Sequence, residues 1–149
     1  MKELWRVDLW ERGASADAIV ITTNGTVKHN WEAVMGRGCA REAAHRFREL
    51  PKFLGEHLRT SGNILNVFDI DGSTIVTYPV KHNWWEKADI TLIAESALDL
   101  VEEADERDWE NVVMPRPGCG NGGLSWVDVR PVLDEVLDHR FTVVTNGAF

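Results

Sequence analysis

The chain has 149 residues and a formal net charge of −8 at pH 7, with 44% hydrophobic and 27% charged residues. Domains of about 100–150 residues are the commonest, so this length fits one folded domain. The negative charge argues against a general nucleic-acid binder, since non-specific affinity comes mainly from Lys and Arg at phosphates, but it leaves room for a local site that holds a small anion. No apolar run approaches the ~20 residues of a membrane span, and residues 1–4 do not begin a secretory signal peptide.

The cysteines and histidines predict neither a disulfide framework nor a metal site. Cys39 and Cys119 are the only cysteines, and with no CxxC spacing and no export signal they indicate a reducing cytoplasm. The five histidines are scattered, and no Cys and His residues cluster at zinc-ligand spacings. We therefore expect no metal and no other cofactor.

Strand-like and helix-like segments alternate in the first half of the chain. The pattern predicts a strand at 4–8, a buried β-branched strand at 18–23, a Gly- and Asn-rich loop at 24–38, a helix at 39–50 that Pro51 interrupts, and a short helix at 53–60. Strands at 63–69 and 73–80 then flank Asp71-Gly72. This pair predicts a hairpin turn, because glycine tolerates positive φ.

The alternation continues in the second half. The pattern predicts a polar loop at 81–89, an amphipathic helix with apolar residues recurring from Ile90 to Val101, a buried strand at 111–115, a glycine loop at 118–123, a helix at 126–137 and a last strand at 141–145. An acidic run on the first of these helices is interpreted as a solvated face: Glu95, Asp99, Glu102, Glu103, Asp105 and Glu106. The order implies an α/β fold with a mixed sheet covered on both faces, whose ligands collect at the carboxyl ends of strands.

Two glycine turns that lead into helices are the candidate ligand loops. The stronger is Pro115-Arg116-Pro117-Gly118-Cys119-Gly120-Asn121-Gly122-Gly123-Leu124-Ser125-Trp126, where glycines let the main chain approach a ligand and a helix start favours phosphate; an ordinary tight turn is the alternative. The second is Val34-Met35-Gly36-Arg37-Gly38-Cys39-Ala40, which matches neither the Walker loop nor the dinucleotide fingerprint. Together they predict a cleft for a phosphate and a sugar.

One aromatic pair stands apart from the other tryptophans. Trp84-Trp85 follows Lys-His-Asn in a polar stretch, whereas the other five tryptophans are spread along the chain and suit packing. An aromatic side chain in such a position can wall a pocket or stack on a base.

The two loops with their flanking residues resemble the macrodomain family. The stretches that carry the resemblance are Thr22-Thr23-Asn24-Gly25, Asn30, Met35 to Ala40, and Met114 to Trp126. The similarity runs from Asp8 to the last strand, and the branch that it resembles most contains terminal ADP-ribose protein glycohydrolases and DNA ADP-ribosyl glycohydrolase antitoxins. It implies a single three-layer α/β/α macrodomain over residues 1–149 with a central mixed sheet.

The resemblance also assigns ligand contacts. It implies that Asp8 accepts the adenine amino group, that Leu9 supplies a neighbouring amide, and that Asn30 contacts the distal ribose. The remaining contacts that it implies come from the two loops and the residue after the second strand: Asn24, Met35, Gly36, Arg37, Gly38, Cys39, Gly118, Cys119, Gly120, Asn121, Gly122, Gly123 and Leu124.

Lys81 is the catalytic candidate by the same resemblance, since the similar glycohydrolases place a lysine after a strand at the anomeric carbon. A lysine amine can attack the opened sugar, or its charge can stabilise developing negative charge; a phosphate contact or a solvated loop lysine is the alternative. Those lysine-dependent enzymes carry an Asp where this chain has Gly122. We therefore expect a Lys81-assisted cleavage in which water or the substrate completes proton transfer, with Glu32 and His82 as secondary candidates for acid–base help.

Three functions remain open at this level. The resemblance favours an ADP-ribosyl glycohydrolase that removes ADP-ribose from a nucleobase or an acidic side chain. A reader that binds ADP-ribose without turnover and a phosphatase acting on ADP-ribose 1″-phosphate are the alternatives. The expected partner is ADP-ribose or an ADP-ribosylated DNA or protein, with no membrane, and the expected state is a cytoplasmic monomer that resembles the antitoxins.

Overall fold

Six strands and five α-helices alternate along residues 1–146, the part of the chain that the computed structural model describes. The strands are β1 (Lys2–Trp5), β2 (Ala18–Thr23), β3 (Asn66–Ile70), β4 (Ser73–Pro79), β5 (Val112–Met114) and β6 (Phe141–Thr145). The helices are α1 (Leu9–Gly13), α2 (Gly38–Arg46), α3 (Leu50–Ser61), α4 (Ile90–Arg107) and α5 (Trp126–Asp134).

The strands form one mixed sheet in the order β1-β6-β5-β2-β4-β3. Strand β3 is antiparallel to β4, and every other pair is parallel. The antiparallel pair comes from the predicted hairpin, in which Asp71 and Gly72 have φ of 50° and 79°. The mixed sheet predicted from the sequence is confirmed.

Helices cover both faces, as expected for a three-layer α/β/α fold. Because side chains alternate along a strand, Val20 packs with α4 and α5, whereas Ile19 and Ile21 pack with α1, α2 and α3. Strand β2 is buried on both sides, which explains why 18–23 reads as a continuous apolar run. Within residues 1–146, no helix is both long and apolar enough to cross a lipid bilayer.

The beginning of the chain differs from its prediction. Strand β1 ends at Trp5 rather than continuing to Asp8, because Arg6 adopts a left-handed conformation with φ of 56°. Asp8 instead caps the short helix α1, where its Oδ2 accepts hydrogen bonds of 3.1 and 3.0 Å from the main-chain N–H groups of Trp10 and Glu11. Five residues are too few for a periodic apolar pattern, so the sequence did not reveal α1.

The helical region after the first glycine turn breaks earlier than predicted. Helix α2 ends at Arg46, and Pro51 lies in the first turn of α3 instead of interrupting a helix. The missing N–H of proline costs nothing there, because the first N–H groups of a helix have no partner within it. Helix α5 likewise ends at Asp134, three residues before the predicted end at 137.

Candidate functional site

A cleft of about 1300 Å³ opens along the carboxyl edge of the sheet. All five parallel strands contribute to its lining with their last residue or the one that follows: Trp5, Asn24, Val80, Pro115 and Asn146. Both glycine loops and the polar loop 81–89 reach into the same cleft. The position agrees with the general rule for ligands in such sheets.

The first loop is held in shape by Asn24. This asparagine is buried, its Nδ2 donates 2.9 Å to the carbonyl of Val34, and its Oδ1 accepts 2.9 Å from the N–H of Thr26. The loop then enters α2, where Arg37 occupies the N-cap position without offering a side-chain acceptor. The first N–H groups of α2 are therefore left for water or an anion.

The second loop is a compact turn that packs against α4. The N–H of Leu124 donates 3.0 Å to the carbonyl of Gly118, which closes the turn. Gly120 and Asn121 begin a short 3-10 turn, and the first N–H groups of such a turn have no acceptor within it. These amides can receive a second anionic group.

The two loops meet across the cleft. A Cβ atom built on Gly38 would lie 3.4 Å from Nδ2 of Asn121, so the start of α2 and the 3-10 turn are neighbours. Gly38 has φ of 64°, a conformation that favours glycine. Main-chain donors from both loops are thus gathered in one place, which suits a group with several acceptor oxygens such as a diphosphate.

Lys81 lies in the cleft just after the carboxyl end of β4 and is half-buried. Its Nζ donates 3.4 Å to the carbonyl of Trp84, and its own carbonyl accepts 2.9 Å from Nδ2 of Asn63. The loop is further tied by the N–H of Gly25, which donates 3.1 Å to the carbonyl of His82. Lys81 therefore projects from a main chain that is held on two sides.

Trp84 and Trp85 form the rim of the cleft beside Lys81. Their rings meet edge to face at 6.1 Å, and the residues are 54% and 65% exposed. The N–H of Trp84 donates 3.1 Å to Oγ1 of Thr26, which ties the pair to the first loop. Exposed indoles at the mouth of a cleft offer flat apolar faces for a planar ligand.

Three residues that were absent from the predicted contacts form the other end of the cleft. The guanidinium of Arg116 lies 4.9 Å from the ring centroids of both Trp5 and Trp126. The only sequence signal was that Arg116 and Trp126 flank the second loop, because nothing in the local pattern connects Trp5 to them. The result is a cationic and aromatic wall.

Glu3 fixes this wall from behind. Its Oε1 accepts 2.9 Å from Nε1 of Trp126, and its Oε2 pairs with Nε of Arg130. Partial burial raises the pKa of the Glu3 carboxyl, but the hydrogen bonds from Arg130 and Trp126 outweigh it and leave that pKa below its ordinary value. Glu3 therefore stays ionised and keeps Trp126 in place.

The cysteines of the cleft are poor nucleophiles. Burial raises the pKa of both thiols, and Cys39 also accepts a hydrogen bond of 3.4 Å from the N–H of Thr22. Because the thiolate is the reactive form, a raised pKa lowers reactivity at neutral pH. The charged side chains in the cleft lining are Arg37, Lys81 and Arg116.

Most of the predicted contact residues lie together in this cleft. The residues that line it are Asn24, Met35, Gly36, Arg37, Gly38, Cys39, Lys81, Gly118, Cys119, Gly120, Asn121, Gly122, Gly123 and Leu124. Glu32 and His82 do not line it; His82 pairs with Asp89 at 2.7 Å.

Three of the predicted contacts lie outside the lining. Oδ2 of Asp8 caps α1, although Oδ1 accepts no hydrogen bond from any residue that the structure describes. Leu9 is buried in the core next to α2 and α3. Asn30 is exposed, and its Oδ1 accepts 3.1 Å from the N–H of Glu32. Their roles remain predictions.

Residues 20–133 match the family described as the Macro domain. The chain belongs to the macrodomain family. A DNA ADP-ribosyl glycohydrolase of Mycobacterium tuberculosis is 29% identical to this macrodomain over 123 residues, which are 78% of this chain and 33% of that protein. The chain thus spans about a third of the length of the curated relatives that it matches.

Two solved structures share the fold of this macrodomain. The macrodomain of Mycobacterium tuberculosis DarG has a TM-score of 0.77 and 23% identity, with 93% of each chain covered. Thermosipho africanus DarTG in complex with ADP-ribose has a TM-score of 0.78 and 17% identity, with 96% of this chain and 41% of that chain covered. At these identities the comparison establishes the α/β/α fold expected from the sequence.

Proposed function

We propose that this macrodomain binds ADP-ribose in the cleft and hydrolyses the bond that joins ADP-ribose to a nucleobase. The observation that carries the proposal is the approach of Gly38 to Asn121, which gathers the open amides of both loops within a cleft that also contains Lys81. A diphosphate is the part of ADP-ribose that such amides recognise.

The ends of the cleft suggest the direction of the ligand. Trp5 and Arg116 offer an aromatic and cationic wall for the adenine, and the nearby Oδ1 of Asp8 and the N–H of Leu9 would pair with its edge. The distal ribose would then lie beside Lys81 and the Trp84–Trp85 pair. The contact of Asn30 with that ribose is supported by the resemblance alone.

The proposed reaction is a hydrolysis in which water attacks the anomeric carbon of the distal ribose. The new carbon–oxygen bond replaces the glycosidic bond, whose electron pair leaves with the base, and the proton released by the water ends on that base. The Lys81 ammonium would stabilise the negative charge that develops as the bond breaks. No second acid is assigned, because Gly122 stands where the lysine-dependent glycohydrolases have Asp.

The comparisons support the hydrolase over the alternatives. The curated relatives from Mycobacterium tuberculosis and Thermus aquaticus carry the name DNA ADP-ribosyl glycohydrolase. Thermosipho africanus DarTG, which has the same fold, was solved in complex with ADP-ribose. An acidic side chain as the modified group, which the sequence left open, is the second substrate class to be tested.

Replacing Lys81 tests the proposal. We expect Lys81→Ala to abolish release of ADP-ribose from an ADP-ribosylated oligonucleotide, while calorimetry shows that free ADP-ribose still binds with micromolar affinity, about −8 kcal/mol. Lys52→Ala is the matched control, because Lys52 is an exposed lysine of α3 that does not line the cleft; it should retain turnover.

Other outcomes identify the alternatives. Binding of ADP-ribose without release from any modified oligonucleotide or protein would indicate a reader. Release of inorganic phosphate from ADP-ribose 1″-phosphate would indicate a phosphatase. Absence of both heat and thermal protection at saturating ADP-ribose would refute the proposal as a whole.

The biological setting is part of the proposal. Two free cysteines are consistent with a cytoplasmic location. We propose that the protein acts without a metal or another cofactor. We propose that the protein is a monomer. We also propose that it reverses ADP-ribosylation, as its similarity to the antitoxins suggests. Light scattering and the substrate panel above test these points.

A further inference from the structure

A second cavity lies behind the first loop, outside the proposed ADP-ribose cleft. It has a volume of about 500 Å³ and shares only Met35 and Gly36 with the cleft. Three exposed cations line it, namely Lys28, Arg41 and Arg48. None of the three forms an ion pair within residues 1–146, and the only carboxylate in the lining is Glu32.

This cavity belongs to the basic side of a chain that is acidic as a whole. Residues 26–60 contain seven Lys and Arg against four Glu, whereas residues 89–138 contain three Lys and Arg against thirteen Asp and Glu. The first segment packs on one face of the sheet with α2 and α3, and the second packs largely on the other with α4 and α5. Although the net charge of the chain is −8, the surface beside the cleft is therefore basic and attracts anions.

Hydrogen bonds through Thr26 connect this basic cavity with the aromatic rim. Thr26 accepts a hydrogen bond of 3.1 Å from the N–H of Trp84, and its carbonyl accepts 2.9 Å from the N–H of Val34, which lines the cavity. Exposed indoles lie at one end of this path and the three cations at the other. Stacking faces followed by cations are the two elements that single-stranded nucleic-acid sites combine.

We propose that the basic cavity, defined by Lys28, Arg41 and Arg48, binds backbone phosphates of a single nucleic-acid strand whose bases stack on Trp84 and Trp85. The inference rests on the proposed function, since the strand would carry the ADP-ribosylated base into the cleft past Lys81. An acidic peptide would satisfy the cations but not the exposed indoles, so a nucleic acid is favoured.

The test uses an unmodified, fluorescently labelled oligothymidylate of about 12 nucleotides, a length typical of one single-strand site. We expect R41E/R48E to weaken its binding at least about tenfold. In R41Q/R48Q, the slope of log affinity against log salt should become shallower by about 0.7 for each phosphate that the protein no longer neutralises. W84A/W85A should weaken binding without changing that slope.

The matched control reverses the charge of two cations near the amino ends of the strands, at the opposite end of the sheet from the cleft. Lys2 begins β1, and Arg12 lies in α1 next to Gly13, which abuts Ile19 near the start of β2. K2E/R12E changes the net charge as much as R41E/R48E does but should leave oligonucleotide affinity within about twofold of the original. Equal losses of affinity in the two charge-reversed variants, or no binding by the unaltered protein, would overturn the proposal.

Two further measurements separate the possible failures. Competition by an oligoglutamate of the same charge as strongly as by the oligonucleotide would overturn the nucleic-acid assignment in favour of an acidic peptide. Calorimetry with free ADP-ribose should give the same affinity for R41E/R48E as for the unaltered protein, which confirms folding. The oligonucleotide carries no ADP-ribose. Its binding therefore tests the basic cavity independently of the proposed hydrolase activity.

Discussion

The side-chain amide of Asn63 donates a hydrogen bond of 2.9 Å to the main-chain carbonyl of Lys81, although 18 residues separate them. Asn63 is held against the first loop, because a Cβ built on Gly25 would lie 3.0 Å from its Cγ atom. Its Oδ1 is buried and has no partner in the described structure. A buried polar atom without a hydrogen bond destabilises the folded state. The presence of Asn63 in spite of this cost suggests that its role is to hold Lys81 in position.

We predict that Asn63→Ala lowers kcat for ADP-ribose release about tenfold while KM changes little, because Lys81 loses its support but the diphosphate loops do not. The free energy of unfolding should fall by about 1 kcal/mol, a loss moderated by removal of the unpaired Oδ1. Steady-state kinetics and urea denaturation measure the two effects.

Asn66→Ala is the control for this prediction. Its Nδ2 donates a similar hydrogen bond of 3.0 Å, but to the carbonyl of Ile64, so it does not hold Lys81. Turnover should be unchanged in that variant. A normal kcat for Asn63→Ala would show that Asn63 does not position Lys81.

Gly118 should be the least replaceable glycine of the second loop. It has φ of 76°, and an added Cβ would lie 2.5 Å from Cδ1 of Ile93 in α4. Left-handed strain of about 1–2 kcal/mol and overpacking of about 1–3 kcal/mol predict that Gly118→Ala lowers the free energy of unfolding by about 3 kcal/mol.

Gly72 provides the comparison for that prediction. It has φ of 79°, but an added Cβ would meet nothing within 4 Å. Gly72→Ala should therefore lose only the left-handed backbone contribution, about 1–2 kcal/mol. Urea denaturation of both variants, with an unchanged dependence on urea concentration (m), separates backbone strain from overpacking. Equal losses in the free energy of unfolding would contradict the packing of Gly118 on α4.

Trp5 should contribute to ADP-ribose affinity if the adenine lies against the wall it forms with Arg116. An aromatic stacking contact is worth about 0.5–1.5 kcal/mol, so Trp5→Ala should weaken binding by about 2- to 13-fold in calorimetry.

Trp31→Ala is the control for Trp5. Trp31 is 60% exposed against 62% for Trp5 and lies 4.3 Å from the Arg59 guanidinium, yet it is absent from the cleft lining. It should bind ADP-ribose normally. Equal affinity in the two variants would mean that the ligand does not reach Trp5.

The pair between His82 and Asp89 should make stability depend on pH. Hydrogen bonds from His82 and from the N–H of Thr91 stabilise the Asp89 carboxylate and lower its pKa. A lowered pKa gives stability that is present above the unfolded value of about 3.9 and is lost as the pH falls through the lower folded value.

We predict that Asp89→Asn is less stable than the unaltered protein at pH 7 by up to about 1 kcal/mol, a modest figure because the pair is largely exposed. Asparagine can still cap α4 through Thr91, so the difference isolates the charge. Thermal unfolding between about pH 7 and 3 should show the difference shrinking below about pH 4. A difference that stays constant over that range would refute the assignment.

Local patterns account for the parts of the fold that were predicted correctly. The strand at 18–23, the Asp71-Gly72 hairpin and the last strand at 141–145 were confirmed, because burial on both faces and turn chemistry act on neighbouring residues. The helix at Leu9–Gly13 was not predicted, since it depends on one capping Asp rather than on a periodic pattern.

The sequence by itself determined the two glycine turns and the alternation of strands and helices, because each depends on residues that are adjacent along the chain. Lys81 became a candidate only through the resemblance to the macrodomain family. Only the tertiary structure decided that Gly38 faces Asn121, that Trp5 and Trp126 enclose Arg116, and that Asn63 holds Lys81. These contacts depend on the strand order β1-β6-β5-β2-β4-β3, which brings together the carboxyl ends of strands that are far apart in the chain. Strand order follows from how two helical layers share one sheet, and no local pattern contains that information.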